Sequence, residues 1–284
     1  IMGFIILCIH QIINDYFCRR GAVIMPIRLG GMDRRMDGMV VGGQGYDPAT
    51  VALLARMTGV DATRATLIDA CIVALKTGGV WDKLDVLQVH ACNAEANALL
   101  NWKGTSYSAT NNGATFTADR GVAGDAVSTW LDTGFNPTGS GRLYALNSAH
   151  VSMWIETDGA GANGHGAATT AYVRHAASNI TGRINDATTS TFGVTPAATG
   201  LMSLIRRGAS DKRAFHNGAQ IGSTLTTAST GIPNATMGIG RWNANATYTD
   251  DRIALYAAGE QLSDAGILAF YDAARAYMTG VGVA

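Results

Sequence analysis

Glu156 and Asp158 stand two residues apart in a run of strand character, Val151-Ser152-Met153-Trp154-Ile155-Glu156-Thr157-Asp158. Alternate side chains of a strand share a face, so such a pair could supply the acid and the nucleophile of glycoside hydrolysis. The chain continues as Gly159-Ala160-Gly161-Ala162, with no further carboxylate. A rim of solvated acids is therefore the plainer expectation. A second chemistry is carbohydrate binding, which needs an aromatic platform with polar side chains beside it. Trp242-Asn243-Ala244-Asn245 meets that need, and Trp154 is a second candidate platform; the competing expectation is that both tryptophans lie in a core. The glycines Gly159, Gly161 and Gly164 match a dinucleotide fingerprint in spacing, but that motif works only between a strand and a helix. Another strand is predicted next, so the stretch reads as a loop. His165, His175 and His216 have no metal-ligand spacing, and no GxSxG elbow occurs.

The elements that would position these residues are mostly strands. Leu201 to Ile205 is apolar on both faces, as a strand covered on both sides must be. Asn217-Gly218 supplies the two positive-φ residues of a type I′ hairpin turn. Met237 to Trp242 and Arg252 to Tyr256 read as further strands, as do segments near 129–131, 151–155, 172–175, 180–184 and 191–194. Ser263 caps a closing helix whose stripe is Ile267, Leu268, Phe270, Tyr271, Ala274, Tyr277 and Met278.

Helical signals come earlier in the chain. Asp47-Pro48 starts one helix, and Asp61 caps a second that carries Leu67, Ile68, Cys71, Ile72 and Leu75 and stops at Gly78-Gly79. A short strand at Val86 to Val89 follows, and Asn93 is the expected cap of a third helix. The division expected is 1–46, a leader with a Gly- and Met-rich arm; 47–104, a small helical module; and 105–284, a β-sandwich with its helix.

Composition narrows the function classes. With 47% apolar and 15% charged residues, the 284-residue chain can build a large core. A formal net charge of +0 supports neither a nucleic-acid partner nor an acidic membrane surface. The apolar run Ile1 to Ile9 is too short to span a bilayer. Met25-Pro26 looks like a natural start, so residues 1–24 are expected to be translated upstream sequence, with a processed product and a hydrophobic tail packing on a neighbouring subunit as alternatives. Of the four cysteines, Cys8, Cys18, Cys71 and Cys92, none has finger spacing; buried free thiols are expected, with a Cys71–Cys92 disulfide the alternative.

The run IRRG…KRAFHNGAQIG…MGIGR…DRIALY…LSDA…FY resembles the end of a concanavalin A-like (laminin G-type) jelly roll. The strings LLARM…RATLID…IVALKTGGVWDKLDVL…AEANALLNWK and FTADRGVAGD…LDTGFNP resemble a module found ahead of such domains in tailed-phage and prophage structural proteins. The resemblance covers residues 47 to 278. It implies a mainly β fold: a concanavalin A-like jelly-roll sandwich preceded by a small helical module and followed by a C-terminal helix.

It also implies a non-enzymatic virion component at the tail, fibre or capsid surface, with a lectin-like sandwich facing outward. Its partners would be other virion proteins, met through the helical module, further copies of itself, and host-surface glycans. A secreted extracellular lectin-like protein is one alternative, and a glycoside hydrolase with displaced carboxylates is another. Glucanases of this fold carry Glu-x-Asp-x-(x)-Glu, and the final glutamate is missing after Asp158. Laminin G-like domains often hold calcium at the sandwich rim, which makes Asp158, Asp250 and Asp251 the candidate ligands. No other cofactor is implied. The sequons at Asn179, Asn234 and Asn245 would matter only in a eukaryotic secretory setting.

Overall fold

The computed structural model describes residues 45–159, 164–167, 170–176, 179–195, 197–242 and 247–283. The leader and most of the arm, with Cys8 and Cys18, lie outside the described residues. Gly45–Ala284 form one compact unit.

Four α-helices occur among the described residues: α1 (Pro48–Leu54), α2 (Ala62–Thr77), α3 (Glu95–Ala98) and α4 (Asp264–Gly280). Asp47, Asp61 and Ser263 cap α1, α2 and α4, each accepting from a backbone N–H two or three residues on. Asn93 does not cap α3. Its amide donates instead to the carbonyls of Thr58 and Gly59, which ties the loop after α1 to the start of α3.

The strands in chain order begin with β1 (Leu84–Val89), β2 (Thr110–Asn112), β3 (Thr115–Thr117), β4 (Gly121–Ala123), β5 (Trp130–Asp132) and β6 (Ala149–Thr157). They continue with β7 (His165–Ala167), β8 (Ala171–Ala176), β9 (Asn179–Ile184), β10 (Ser190–Val194), β11 (Gly200–Gly208) and β12 (Asp211–His216). The last are β13 (Ala219–Leu225), β14 (Gly238–Ile239), β15 (Arg241–Trp242), β16 (Thr247–Tyr248) and β17 (Arg252–Gly259).

They form two sheets. The first runs β13-β12-β11-β6-β17-β4-β3, with β1 added beside β17; the second runs β10-β9-β8-β7-β14-β5-β2, with β15 and β16 attached. Among the described residues the named strands pair antiparallel, except β15, which meets β7 in parallel; an isolated parallel bridge also joins Gly113 to Trp130. The β12–β13 turn is the expected type I′ hairpin, with φ of 49° at Asn217 and 83° at Gly218.

The protein is a mainly β sandwich with a third layer of helices. On β6, Val151, Met153 and Ile155 face the second sheet and meet Val173, Ile180, Ile184 and Phe192. From the other side of the same sheet, Trp154, Leu201, Ile205, Phe215 and Leu255 pack on Ile68, Ile72 and Leu75 of α2 and Ile267, Phe270 and Tyr277 of α4. This explains why β11 is apolar at every position from Leu201 to Ile205 except Ser203, whose hydroxyl is paired with that of Ser152. Each face of the first sheet meets a different apolar layer.

The boundary expected near residue 104 is not a domain boundary. β1 pairs with β17 over Leu84 to Val89, and α2 shares one core with α4. The helical segment and the sandwich bury each other's apolar faces, so neither is an independent layer. Cys71 and Cys92 are free, buried thiols, and burial pushes both up to about 12. No helix among the described residues is long and apolar enough to cross a membrane.

The helices cover the first sheet. The second sheet keeps its outer face toward solvent, and that asymmetry sets where a ligand can be met.

Candidate carbohydrate-binding cleft

β8 and β9 pair with Tyr172 opposite Arg183 and Arg174 opposite Thr181. Because side chains alternate, Val173, Ile180 and Ile184 go to the core, while Tyr172, Arg174, Thr181 and Arg183 line the outer face. β15 brings Trp242 beside β7, opposite Gly166. A Cβ on Gly166 would lie 2.3 Å from the carbonyl oxygen of Ala171, so only glycine permits that close approach.

The half-buried Trp242 ring sits 4.6 Å from the Tyr172 ring, tilted by 36°. The Arg183 guanidinium lies 5.6 Å from the Tyr172 centroid and 5.4 Å from that of Trp242. Gly164, Arg174, Thr189 and Thr247 complete a cleft of about 340 Å³.

Threonine hydroxyls orient the cleft's long side chains. Arg174 Nε donates to Thr181 Oγ1 at 2.8 Å, and Arg183 Nε donates to Thr189 Oγ1 at 3.0 Å. The Tyr172 hydroxyl also donates to Thr189 Oγ1, at 2.9 Å. Thr189 thus fixes both a ring and a guanidinium.

Its loop is anchored from within. Asp186 is fully buried and accepts from Arg206 Nη2 at 2.7 Å and Lys212 Nζ at 2.8 Å, both of them fully buried as well. Asp186 also accepts from the Thr188 N–H, which sets the turn that leads to Thr189. Arg206 donates further to the carbonyls of Ile184, Gly208, Ala209 and Thr227. Burial pushes the Lys212 ammonium down, opposed by the bond to Asp186. A buried charge cluster so fully hydrogen-bonded fixes a geometry rather than adding stability.

The sequence-predicted residues divide. Trp242 is in the cleft. Asn243 and Asn245 lie outside the described residues. Trp154 is a correction: it is only 5% exposed and stacks on Tyr271 of α4, centroids 6.1 Å apart and planes at 9°. It is a core residue of the helical layer, not an exposed platform.

The calcium candidates gather at one rim, where histidines engage Asp251 and Asp158. Asp251 accepts from His165 Nε2 at 2.9 Å and from the Gly159 N–H at 2.8 Å. The Gly240 N–H donates to His165 Nδ1, so the imidazole proton sits on Nε2. Burial alone would raise the Asp251 carboxyl; His165 and the Gly159 N–H outweigh it and hold it low. Asp158 lies 3.4 Å from His175 Nδ1, and its carboxyl is raised by burial, which His175 opposes and Asp251 and Asp250 reinforce. Asp250 sits against Gly159, where a Cβ would meet its carboxylate at 2.1 Å. Among the described residues, no group of three or more His, Cys, Asp or Glu side chains is arranged to hold a metal ion.

Glu156 at the end of β6 is held 3.3 Å from Arg120 and 3.8 Å from Arg252. Gly159 follows β6 and Gly164 precedes β7, so among the described residues the next element is a strand and not the helix that would hold a pyrophosphate.

Tyr172, Arg174, Arg183 and Thr189 were not singled out in the sequence. Their signal was the alternation of Ala171/Val173 with Tyr172/Arg174 and of Ile180/Gly182/Ile184 with Thr181/Arg183. That alternation becomes a site only once the register sets Tyr172 opposite Arg183.

No family model matches the chain, and no curated protein matches it. Among solved structures, Trypanosoma rangeli sialidase in complex with sialic acid is 12% identical with a TM-score of 0.47, over 72% of this chain and 38% of that chain. The botulinum neurotoxin serotype D ligand-binding domain in complex with N-acetylneuraminic acid is 13% identical with a TM-score of 0.46, over 70% of this chain and 52% of that one. The chain thus spans between 38% and 52% of the length of these structures.

Proposed function

We propose that the protein is a non-enzymatic carbohydrate-binding protein that uses the cleft of Tyr172, Trp242, Arg174 and Arg183. One observation carries this reading: the half-buried Trp242 ring, backed by a Tyr172 ring that is itself only 6% exposed and flanked by a guanidinium, borders a cleft of about 340 Å³ on the outer face of the sheet. Ligand sites for small molecules begin at about that size, and an aromatic surface with fixed polar groups is what a sugar's apolar face and hydroxyls require. A non-enzymatic role is supported by Glu156, whose carboxylate is bound to two arginines and has no partner glutamate further along its strand.

The setting we propose is the surface of a tailed-phage or prophage particle, at the tail, fibre or capsid. The order of helical segment and sandwich in the sequence supports it. The second sheet then faces host glycans, and the helical layer faces neighbouring virion proteins and further copies of the chain. That layer carries exposed Val51, Val73 and Leu268.

A glycan array with the wild-type chain and Trp242→Ala tests the binding. Saturable binding that the variant weakens at least tenfold, at unchanged melting temperature, is expected. Equal binding by the two proteins, or no binding by the wild type, contradicts the proposal. For the setting, immunogold labelling of purified particles is expected to show the protein at their surface; absence from particles contradicts it.

A further inference from the structure

A solvated helix sets its apolar stripe inward and its charges outward. α2 does not. Ile68, Ile72 and Leu75 face the core, yet Thr66, Ala70, Val73 and Thr77 on the opposite side are exposed and uncharged. Its charged groups are already engaged: Arg64 with Asp119, Lys76 with Asp47, and Asp69 with the Asp47 N–H. A helix without a charged outer side is one whose outer side is covered as well.

α4 lies alongside, antiparallel to α2. A Cβ on Gly78, just past the end of α2, would stand 2.6 Å from Ala269 Cβ near the start of α4. One on Gly280, at the end of α4, would stand 2.6 Å from Leu67 Cδ2 near the start of α2. Between the helices runs a groove of about 620 Å³, walled by Ala70, Val73 and Ala74 on one side and Ala269, Ala273 and Ala276 on the other. Among the described residues, Asp272 is the only charged one in its lining.

The charges on α4 select the occupant. Asp264 pairs with Arg207. Asp272 and Arg275 are both exposed, and among the described residues neither has an ion-pair partner; the Arg275 guanidinium lies 6.0 Å from the Tyr271 centroid. An acid and a base three residues apart on one helix face are self-complementary. The same helix laid antiparallel across them sets base on acid and acid on base.

We infer that a second copy of this chain covers the α2–α4 groove through a two-fold axis. The axis crosses both helices at the level of Val73 and Ala273, so each helix lies antiparallel on its counterpart. Val73 meets Val73 of the copy at the centre, and Asp272 and Arg275 meet Arg275 and Asp272 of the copy. The apolar centre supplies affinity and the ion pairs set the register. This gives a defined form to the contact with further copies proposed for the helical layer. It rests on that part of the reading and not on the glycan cleft, which belongs to the outer face of the other sheet.

Sedimentation velocity of the full chain from about 1 to 200 µM is the test, and a concentration-dependent shift from monomer to dimer is expected. Asp272→Arg and Arg275→Asp each set like charges across the axis and are expected to weaken association by about tenfold or more. Combining the two exchanges the charges and is expected to restore association to within about threefold of the wild type. Val73→Asp sets two carboxylates at the centre and is expected to leave a monomer at about 200 µM. Every changed side chain is exposed, so melting temperatures should stay within about 3 °C of the wild type.

A wild-type chain that stays monomeric throughout overturns the inference and leaves the glycan cleft and the virion setting standing. Association that none of these variants weakens overturns the assignment to this face. Association lost in the single charge variants and not recovered in the exchanged pair overturns the two-fold register.

Discussion

Two buried histidines should make the fold sensitive to mild acid. His90 and His150 are fully buried. His90 Nδ1 faces the Ala98 carbonyl at 2.8 Å, and His150 Nδ1 faces the carbonyl of Glu260. A carbonyl only accepts, so the proton of each ring is on Nδ1, and each Nε2 is left buried without a hydrogen-bond partner. A second proton on either ring would make a cation in apolar surroundings, beside Phe270 in the case of His150. Burial accordingly pushes both from 6.5 down to about 4, partly offset by the bonded carbonyls.

The direction follows from linkage. As pH falls below 6.5 the unfolded chain takes up protons that the folded chain refuses until about pH 4. Stability is therefore complete above pH 6.5 and is lost progressively between there and pH 4. At about 1.4 kcal/mol per pH unit and per proton, each histidine contributes about 3 kcal/mol over that window. Together they reach about 6 kcal/mol, a large part of the roughly 5–15 kcal/mol that holds a typical domain folded.

Urea denaturation at pH 7.5, 6.0, 5.0 and 4.5 reads this as a slope approaching about 2.7 kcal/mol per pH unit. His90→Asn and His150→Asn keep a donor near Nδ1 but do not titrate. The double variant will be less stable throughout, with its pH slope largely flattened. An unchanged slope in the double variant would refute the reasoning.

Two other expectations follow from the same packing. Asp186→Asn removes the only carboxylate that Arg206 and Lys212 share among the described residues, and should cost about 3–5 kcal/mol in urea denaturation. Because Asp186 also shapes the turn before Thr189, glycan affinity should fall in any Asp186→Asn protein that stays folded. The two tryptophans should separate cleanly: Trp154→Ala, in the core, should cost about 3–5 kcal/mol, whereas Trp242→Ala should change stability by less than about 1 kcal/mol and abolish binding. Thermal melts beside glycan titrations check both.

Much of the fold was legible because local signals agreed with it. Asp47, Asp61 and Ser263 cap helices as their spacing predicts, and Asn217-Gly218 turns the hairpin. The both-faces-apolar character of Leu201 to Ile205 announced a sheet covered on each side, although not that helices and strands share that duty. What covers the helices of residues 47–104 was not legible, because helical periodicity shows a buried face without showing what buries it; here the partners are α4 and β17, some 200 residues away in the chain for α4. Asn93 failed as a cap because its amide had a tertiary use, on Thr58 and Gly59.

The site was legible only in part. Trp242 could be nominated by type, but so could Trp154, and nothing local separates a tryptophan under a helix from one on a bare sheet. Arg174, Arg183 and Thr189 are unremarkable in sequence. They become a site through the strand register, through a turn fixed by a buried aspartate, and through a parallel contact between β15 and β7 that no periodicity encodes.

The central claim is that carbohydrate binds on Trp242 and not elsewhere. A crystal structure of the chain with a bound oligosaccharide tests it most directly. The account predicts a sugar ring against Trp242, with a sugar oxygen within hydrogen-bond distance of Arg183 or Arg174. A sugar seated at another surface, with the Trp242 cleft empty at saturating ligand, would contradict it.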